Sequence, residues 1–261
     1  MAGIRPGGPS VRHQKEVLSM MLGWRARIGQ IRPATAIEGA EEWRSVAPTG
    51  VAFADARTIV PRVDAEGLKE MMSQVLEASR QLATAKVDLI VQCGAPGTFI
   101  PGPGTDEKVT AEIAAETGIP AITMMQAQVD ALRAVGARSV AVGSIYTDEV
   151  NEALRVYLTA VGFEVPVIEG LQITDPYEAS VHDADSAYRL GRRLHRAAPD
   201  ADALLISCGT FRTFEVLPYL ELDTGVPVVT SNQASLWRAL RHLGLRDEIP
   251  ALGRLGAIAE Y

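Results

Sequence analysis

The sequence predicts an α/β fold in which two similar parallel sheets, each wrapped by helices, face each other across a cleft. Short apolar runs of strand length alternate with longer segments of helical period from Ala26 onward. A stretch of eleven residues that starts at Thr117 recurs at Thr224 with six identities. The chain of 261 residues is 47% hydrophobic, which is enough to bury one large core or two small ones.

The alternation predicts eight strands and seven helices. Each predicted strand is a short apolar run, and each predicted helix has the apolar period of a helix with one face in a core. The strands are predicted at 27–31, 51–54, 89–93, 121–124, 139–142, 164–168, 203–208 and 226–230, and the helices at 65–83, 106–116, 126–135, 148–161, 187–197, 214–222 and 233–243. The stretch 94–104 carries four glycines and three prolines, which predicts a loop after the third strand.

The recurring stretch favours an internal duplication. Upstream of each copy lies a strand that opens with an aspartate, Asp88 or Asp202, and ends near a cysteine. Unrelated strand–turn–helix units also converge on such residues, because turns favour Thr-Gly and helices favour Ala and Leu. A duplication predicts two halves whose strand ends border one cleft. The predicted division is an N-terminal extension of residues 1–25, a first α/β domain of residues 26–125 and 233–261, and a second α/β domain of residues 126–232.

Composition argues against several classes of partner. The formal net charge of −7 and the lack of a basic run argue against nucleic acid, so a small molecule is the expected ligand. No apolar run approaches the roughly 20 residues of a membrane span. Arg25 and Arg27 follow the apolar run 17–24 where a signal peptide would carry small residues, so we expect a cytoplasmic protein. Two cysteines and four scattered histidines predict neither a disulfide framework nor a zinc site.

Cys208 is the leading candidate for chemistry. It ends a buried strand and is followed by Gly209 and Thr210 and then by a helix. Ligands of open α/β sheets bind outside the carboxyl ends of strands, and N–H groups at such a turn can bind an anion. The same groups tend to lower a thiol pKa by stabilising the thiolate. The alternative is that Cys208 is a small buried apolar residue, as most free cysteines are.

Cys93 is a candidate for a second, opposing thiol. Counted from the aspartate that opens each strand, however, the position equivalent to Cys208 is occupied by Gly94. Side chains alternate between the two faces of a strand, so a one-residue offset turns Cys93 away from that position. A bulge at the strand end would restore the symmetric arrangement. Otherwise Cys93 belongs to the core or supports the site from behind.

Other strand-to-helix turns carry further candidates. Tyr146 stands at such a turn, where its phenol can donate to a carboxylate or simply reach water, and Thr147 can cap the helix that follows. The loop around Pro33 is expected to reach the cleft. Ser231 and Asn232 could do the same, although they are usual capping residues. Neither a phosphate-binding glycine loop nor a metal-spaced set of carboxylates is present, so no nucleotide or metal cofactor is expected.

Together these motifs resemble the aspartate/glutamate racemase superfamily, in the branch of maleate cis-trans isomerases and arylmalonate decarboxylases. The likeness runs from about residue 27 to residue 244 and is most specific at 146–152, 206–213 and 225–234. It implies two similar Rossmann-like (flavodoxin-like) domains related by pseudo-two-fold symmetry, with the active site in the cleft between them. It also implies chemistry without a cofactor, in which cysteine moves a proton or attacks carbon beside a carboxylate.

Branches of this superfamily differ at the first cysteine position. Racemases and maleate isomerases have cysteine there, whereas arylmalonate decarboxylases have glycine, and this chain has Gly94. Residues 231–234 look closer to maleate isomerases, which nevertheless have an asparagine where Ala36 stands. The decarboxylase pattern has Thr-Ser after the glycine, but this chain has Ala95 and Pro96, which leaves Gly97 and Thr98 as candidate substitutes for binding a carboxylate.

The resemblance favours a cofactor-free decarboxylase of an α-substituted malonate. Cys208 would protonate an enediolate, Tyr146 would orient a carboxylate, and N–H groups of residues 94–98, 209 and 210 would stabilise oxyanions. One alternative is an isomerase or racemase that uses Cys208 and Cys93, and another is a carboxylate-binding protein without activity. The expected partner is a small mono- or dicarboxylate, and a homo-oligomer is expected if the extension packs on a neighbouring copy.

Overall fold

Eight strands in the described part of the chain form two four-stranded parallel sheets. The computed structural model describes residues 22–260. The strands are β1 (Ala26–Pro33), β2 (Val51–Thr58), β3 (Leu89–Gln92), β4 (Ala121–Thr123), β5 (Val140–Ser144), β6 (Ile168–Gly170), β7 (Ala203–Ser207) and β8 (Val228–Thr230). The sheets have the orders β2-β1-β3-β4 and β6-β5-β7-β8, so both halves follow one plan. This confirms the predicted α/β fold of two similar parallel sheets.

Helices connect the strands and cover the sheets, as parallel pairing requires. They are α1 (Ile37–Val46), α2 (Ala65–Ser73), α3 (Val75–Thr84), α4 (Pro96–Phe99), α5 (Thr105–Thr117), α6 (Met124–Ala134), α7 (Asp148–Ala160), α8 (Pro176–Ser180), α9 (Ala184–Ala197), α10 (Leu217–Thr224), α11 (Ser231–His242) and α12 (Gly253–Gly256). A 3-10 turn, Pro250–Leu252, precedes α12. None of the helices within residues 22–260 has the length and apolar character needed to cross a membrane.

Three elements differ from their predictions. The predicted helix 65–83 is two helices, because Gln74 interrupts it and its side chain exchanges hydrogen bonds of 2.8 and 2.9 Å with the backbone of Ile59. The sixth strand lies at Ile168–Gly170, beyond the predicted 164–168, because Pro166 lacks the N–H that a continuous ladder needs. The predicted loop 94–104 contains the helical turn α4, since proline fits the first turn of a helix.

The recurring stretch has the same structure in both halves. Gly118 and Gly225 end α5 and α10 with left-handed φ angles of 70° and 76°. A short strand follows in each half, and then the side chain of Thr123 or Thr230 accepts a backbone hydrogen bond that caps α6 or α11. The helices α6 and α11 pack against each other where the two halves meet.

The aspartates that open β3 and β7 fix the register of these strands. The Asp88 carboxylate accepts a hydrogen bond from the N–H of Arg27, and Asp202 accepts from the N–H of Ser139. Gln92 pairs with Thr123 in the first sheet as Ile206 pairs with Thr230 in the second. Counted on from those pairs, position 94 is equivalent to position 208. The register therefore places Gly94, and not Cys93, opposite Cys208 in the symmetric arrangement.

One apolar core extends across both halves, and a second cluster, which includes Ile31 and Ile90, lies within the first half. The core that extends across both halves includes Ile28 and Leu89 of the first sheet and Val140 and Leu204 of the second. Residues 1–21 of the predicted extension lie outside the described residues, and the domain boundaries stay a prediction. After α11 the chain returns to the start of β1, where Asp247 forms an ion pair of 2.6 Å with Arg25.

A buried hydrogen bond also joins the halves. The phenol of Tyr157 on α7 donates to Asp106 on α5 over 2.6 Å, and Asp106 also accepts from the hydroxyl of Thr123. Asp106 is 1% exposed, so water does not replace a lost donor easily.

We expect Tyr157→Phe to lower the free energy of unfolding by about 1–3 kcal/mol, because the buried Asp106 carboxylate loses a donor. Urea unfolding followed by circular dichroism measures this loss. The matched control is Tyr219→Phe, at a tyrosine that is 66% exposed, and it should leave stability unchanged. Equal stabilities of the two variants would show that the Tyr157 bond contributes nothing across the halves.

Candidate active site

The carboxyl ends of strands from both sheets border a cleft of about 510 Å³ that opens to solvent. One part of the wall is apolar and includes Val63, Leu68 and Met71. The rest of the wall carries the candidate chemistry: Pro33, Cys93, Gly94, Ala95, Tyr146, Cys208, Gly209 and Thr210. Most of the predicted site residues are therefore brought together.

The Cys208 thiol is surrounded by hydrogen-bond donors. Its Sγ lies 2.8 Å from the hydroxyl oxygen of Thr210, and the Thr210 N–H donates to the same sulfur over 3.4 Å. Burial nevertheless raises the pKa of the Cys208 thiol, against the lowering effects of Thr210 and of the Phe211 N–H. The donors of the turn do lower this pKa, as predicted, but desolvation outweighs them, so the net shift of the Cys208 pKa is upward. The thiol holds its proton at neutral pH and has donors ready for the thiolate.

Tyr146 lines the cleft from the turn between β5 and α7. Burial raises the pKa of its phenol well above the ordinary range, the nearby Cys208 raises it further, and the Ser207 hydroxyl lowers it. The phenol therefore stays protonated and can donate. The turn is held by Ser144, whose hydroxyl donates to Asn151 over 2.6 Å and accepts the N–H of Tyr146 over 2.9 Å.

Thr147 does not cap α7 as predicted. It stands at the capping position, but its side chain makes no capping hydrogen bond. The N–H of Asp148 is bonded instead to the side-chain oxygen of Gln172 over 3.3 Å. Gln172, which follows β6, thus caps α7 in place of Thr147.

Backbone donors line the cleft beside the two equivalent strand ends. In the described part of the chain, the N–H groups of Gly94, Ala95 and Gly209 have no hydrogen-bond partner. These three residues border the cleft. Unpaired N–H groups in a concave wall bind carboxylates and oxyanions. They supply donors without the Thr-Ser pair that the decarboxylase pattern carries.

Gly97 and Thr98 do not take the place of that pair. The helical turn α4 directs Thr98 into the core, where it is fully buried and its hydroxyl donates to the Ala95 carbonyl over 3.1 Å. Gly97 borders a separate groove with Met72 and Ile100. Neither residue belongs to the cleft wall. The segment was predicted to be a loop, and its helical winding is the reason for the difference.

Cys93 is buried and belongs to the cleft wall. Its thiol contacts the Val91 carbonyl at 3.6 Å. Burial raises the pKa of Cys93, and the nearby Arg32 guanidinium opposes that shift. Cys93 is equivalent by register to Ser207, so it does not mirror Cys208. A direct role for Cys93 stays a prediction.

Some residues around the site were not predicted from the sequence. Asn232 was expected to cap α11 or reach the cleft, but Thr230 is the cap and Asn232 is buried in contact with Arg32 and Glu42. Glu42 lies on α1, a helix absent from the prediction. The spacing of Ile37, Ala40 and Trp43 is the signal that could have revealed this helix. No group of three or more metal-ligating side chains occurs within residues 22–260.

A model of the arylmalonate decarboxylase family matches residues 28–256. The chain belongs to this family. It is 32% identical over 194 residues to the arylmalonate decarboxylase of Bordetella bronchiseptica, in a match that covers 74% of this chain and 81% of that protein. The resemblance inferred from the motifs is thereby confirmed.

Solved structures from the same branch share the fold. A liganded mutant of arylmalonate decarboxylase, with a glycine replaced by cysteine and a cysteine by serine, has a TM-score of 0.83 and 30% identity. The match covers 88% of this chain and 98% of that one. A maleate isomerase of Pseudomonas putida with maleate, in which a cysteine is replaced by alanine, has a TM-score of 0.85 and 25% identity over 90% of this chain and 98% of that one.

We expect Thr210→Val to raise the pKa of the Cys208 thiol, because it removes a donor that stabilises the thiolate. Below the midpoint of its pH dependence, alkylation of Cys208 by iodoacetamide should slow roughly tenfold, because one hydrogen bond to a charged group contributes about this factor. Peptide mass spectrometry distinguishes Cys208 from Cys93. Thr98→Val removes a buried hydroxyl outside the cleft and is the matched control. Equal rates in the two variants would contradict the assigned contact.

Proposed function

We propose that the protein is a cofactor-independent decarboxylase of an α-substituted malonate, with Cys208 as the proton donor. The observation that supports it most is the strand register, in which Gly94 of the first half is equivalent to Cys208 of the second half. In the decarboxylase mutant, the substituted glycine and cysteine lie the same number of residues apart as Gly94 and Cys208 do here.

The wall of the cleft suggests how a malonate would bind. The carboxylate that is retained would accept from the N–H groups of Gly94, Ala95 and Gly209 and from the Tyr146 phenol. The other carboxylate would lie toward the apolar wall, where Leu68 and Met71 offer no side-chain donor. Loss of its charge as CO2 is favoured there, because an unpaired carboxylate is costly away from water.

Decarboxylation then needs stabilisation of one intermediate. The carbon–carbon bond breaks, its electron pair forms an enediolate on the retained carboxylate, and CO2 leaves. Each donor aimed at the developing oxyanion is worth roughly 3 kcal/mol. Cys208 passes its thiol proton to the α-carbon, and the resulting thiolate accepts from the Thr210 hydroxyl and N–H until a solvent proton restores it.

A maleate isomerase or racemase is the second candidate. Cys93 belongs to the cleft wall, and a maleate isomerase shares the fold at 25% identity. Such chemistry would use both thiols. In maleate isomerases the cysteine of the first half is the expected nucleophile, which acts as the thiolate, and burial raises the pKa of Cys93.

We expect the purified protein to convert phenylmalonate in D2O into singly deuterated phenylacetate, followed by proton NMR. Cys208→Ala should abolish the reaction while thermal unfolding is unchanged, because the proton donor is lost but the fold is kept. Cys93→Ser should retain most of the activity, and it is the matched control for a thiol in the same wall.

Other outcomes separate the alternatives. Turnover by Cys208→Ala at the native rate would refute the assigned donor. Conversion of maleate to fumarate, with loss of activity in Cys93→Ser, would establish the isomerase. Binding of phenylmalonate without any product would favour a carboxylate-binding protein.

A further inference from the structure

A buried pair of opposite charges lies behind the loop that carries Cys208. Arg32, near the end of β1, is fully buried, and its guanidinium stacks 4.7 Å from the ring centroid of Trp43. Glu42, on α1, is 9% exposed. Neither residue belongs to the cleft wall, and neither takes part in the mechanism above. A buried charge is costly unless it is paired and hydrogen-bonded, so the arrangement calls for an explanation.

An asparagine amide joins the two charges. Arg32 Nη1 donates to Asn232 Oδ1 over 3.1 Å, and Asn232 Nδ2 donates to Glu42 Oε2 over 2.8 Å. The same Nδ2 lies 3.3 Å from the Phe211 carbonyl. Arginine carries only donors, so the amide cannot be reversed without losing both contacts.

The second carboxylate oxygen of Glu42 holds the Cys208 loop. Glu42 Oε1 accepts from the Phe214 N–H over 2.8 Å and also from the Thr213 N–H. Both oxygens of Glu42 are therefore acceptors, which a carboxylate provides and a neutral amide does not. A glutamine at this position would point a donor either at Asn232 or at the loop N–H groups.

The helix that carries Glu42 also lies against the start of the loop. A Cβ on Gly39 would stand 2.5 Å from the Gly209 carbonyl oxygen and 2.6 Å from Arg32 Nη1. Helix α1 of the first half thus contacts the loop at both of its ends. Between these contacts lies Thr210, with its hydroxyl 2.8 Å from the sulfur.

We propose that Glu42 is a positioning residue for the Cys208 thiol: through the polarity of the Arg32–Asn232–Glu42 network it fixes the loop of residues 208–214 so that Thr210 donates to the sulfur. The network is directional, because Arg32 Nη1, Asn232 Nδ2 and the loop N–H groups each face an acceptor. The second terminal nitrogen of the guanidinium, Nη2, has no partner among residues 22–260. Its effect on the thiol is independent of turnover. Its effect on catalysis rests on the proposed function.

The first test is Glu42→Gln, read by the pH dependence of Cys208 alkylation with iodoacetamide and peptide mass spectrometry. The charged and titratable groups that act on Cys208 are Glu42 and Tyr146. The Thr210 and Phe211 bonds affect the Cys208 pKa more than the charge of Glu42 does. Loss of the anchor should therefore move the midpoint upward and slow alkylation below it roughly tenfold. Glu41→Gln, at the exposed neighbouring position, should change nothing.

The second test restores the polarity by exchange. In Glu42→Gln with Asn232→Asp, the glutamine oxygen accepts from the loop, its amide donates to the aspartate, and the aspartate accepts from Arg32. The double variant should recover part of the alkylation rate that the single variant loses, because the Phe211 carbonyl still lacks the donor that Asn232 provides. On phenylmalonate, Glu42→Gln should lower kcat roughly 100-fold with KM unchanged, and the double variant should recover part of the lost kcat.

Several outcomes would overturn the proposal. An unchanged or lowered alkylation midpoint in Glu42→Gln would mean that Glu42 acts on the thiol only as a charge, or not at all. A double variant that folds but alkylates no faster than the single variant would refute the directional network. If Glu42→Gln does not fold, the alkylation rate of the double variant is compared with that of the native protein, and this comparison alone decides the outcome. A native protein that turns over no malonate refutes the proposed function and leaves the alkylation result valid.

Discussion

Burial of the Cys208 thiol at the junction of two sheets is the constraint on which the site depends. The thiol is 2% exposed, and burial keeps its pKa above the ordinary value although donors surround the sulfur. A buried thiol of this kind keeps its proton until a base forms beside it. The thiolate that remains after proton transfer already has Thr210 within hydrogen-bond distance. The burial of the thiol and the position of Thr210 both require contact between the two halves, because helix α1 of the first half contacts the loop of residues 208–214.

The two similar halves provide this contact, and they differ at a position that borders the cleft. The aspartates that open β3 and β7, the glycines that end α5 and α10, and the threonines that cap α6 and α11 are equivalent in both halves. At the strand ends the equivalence stops, because one half has Gly94 and the other has Cys208. In the proposed reaction, the glycine side would supply backbone N–H groups, and the cysteine side would supply the proton as well as the Gly209 N–H.

Much of this was predictable from local sequence, and the remainder depends on distant contacts. Counting from Asp88 and Asp202 predicts that Gly94 and Cys208 are equivalent, since a count along one strand needs only local sequence. The loop of residues 94–104 has the composition of a turn, yet one helical turn inside it removes Thr98 from the cleft. Glu42 has the sequence appearance of a surface charge. Its burial depends on Asn232, which lies 190 positions further along the chain. The pKa of Cys208 could not be predicted for the same reason. The sequence of the turn reveals the donors near the thiol, but it does not reveal how deeply the thiol is buried.

The stereochemistry of protonation is the sharpest test of Cys208 as the proton donor. One thiol that faces a glycine across the cleft can deliver a proton to only one face of the enediolate. Decarboxylation of α-methyl-α-phenylmalonate, followed by chiral chromatography of the 2-phenylpropionate produced, measures the face that is used. We predict one enantiomer in large excess. An equal mixture of enantiomers would contradict this prediction, because it would require a second proton donor on the side of Gly94.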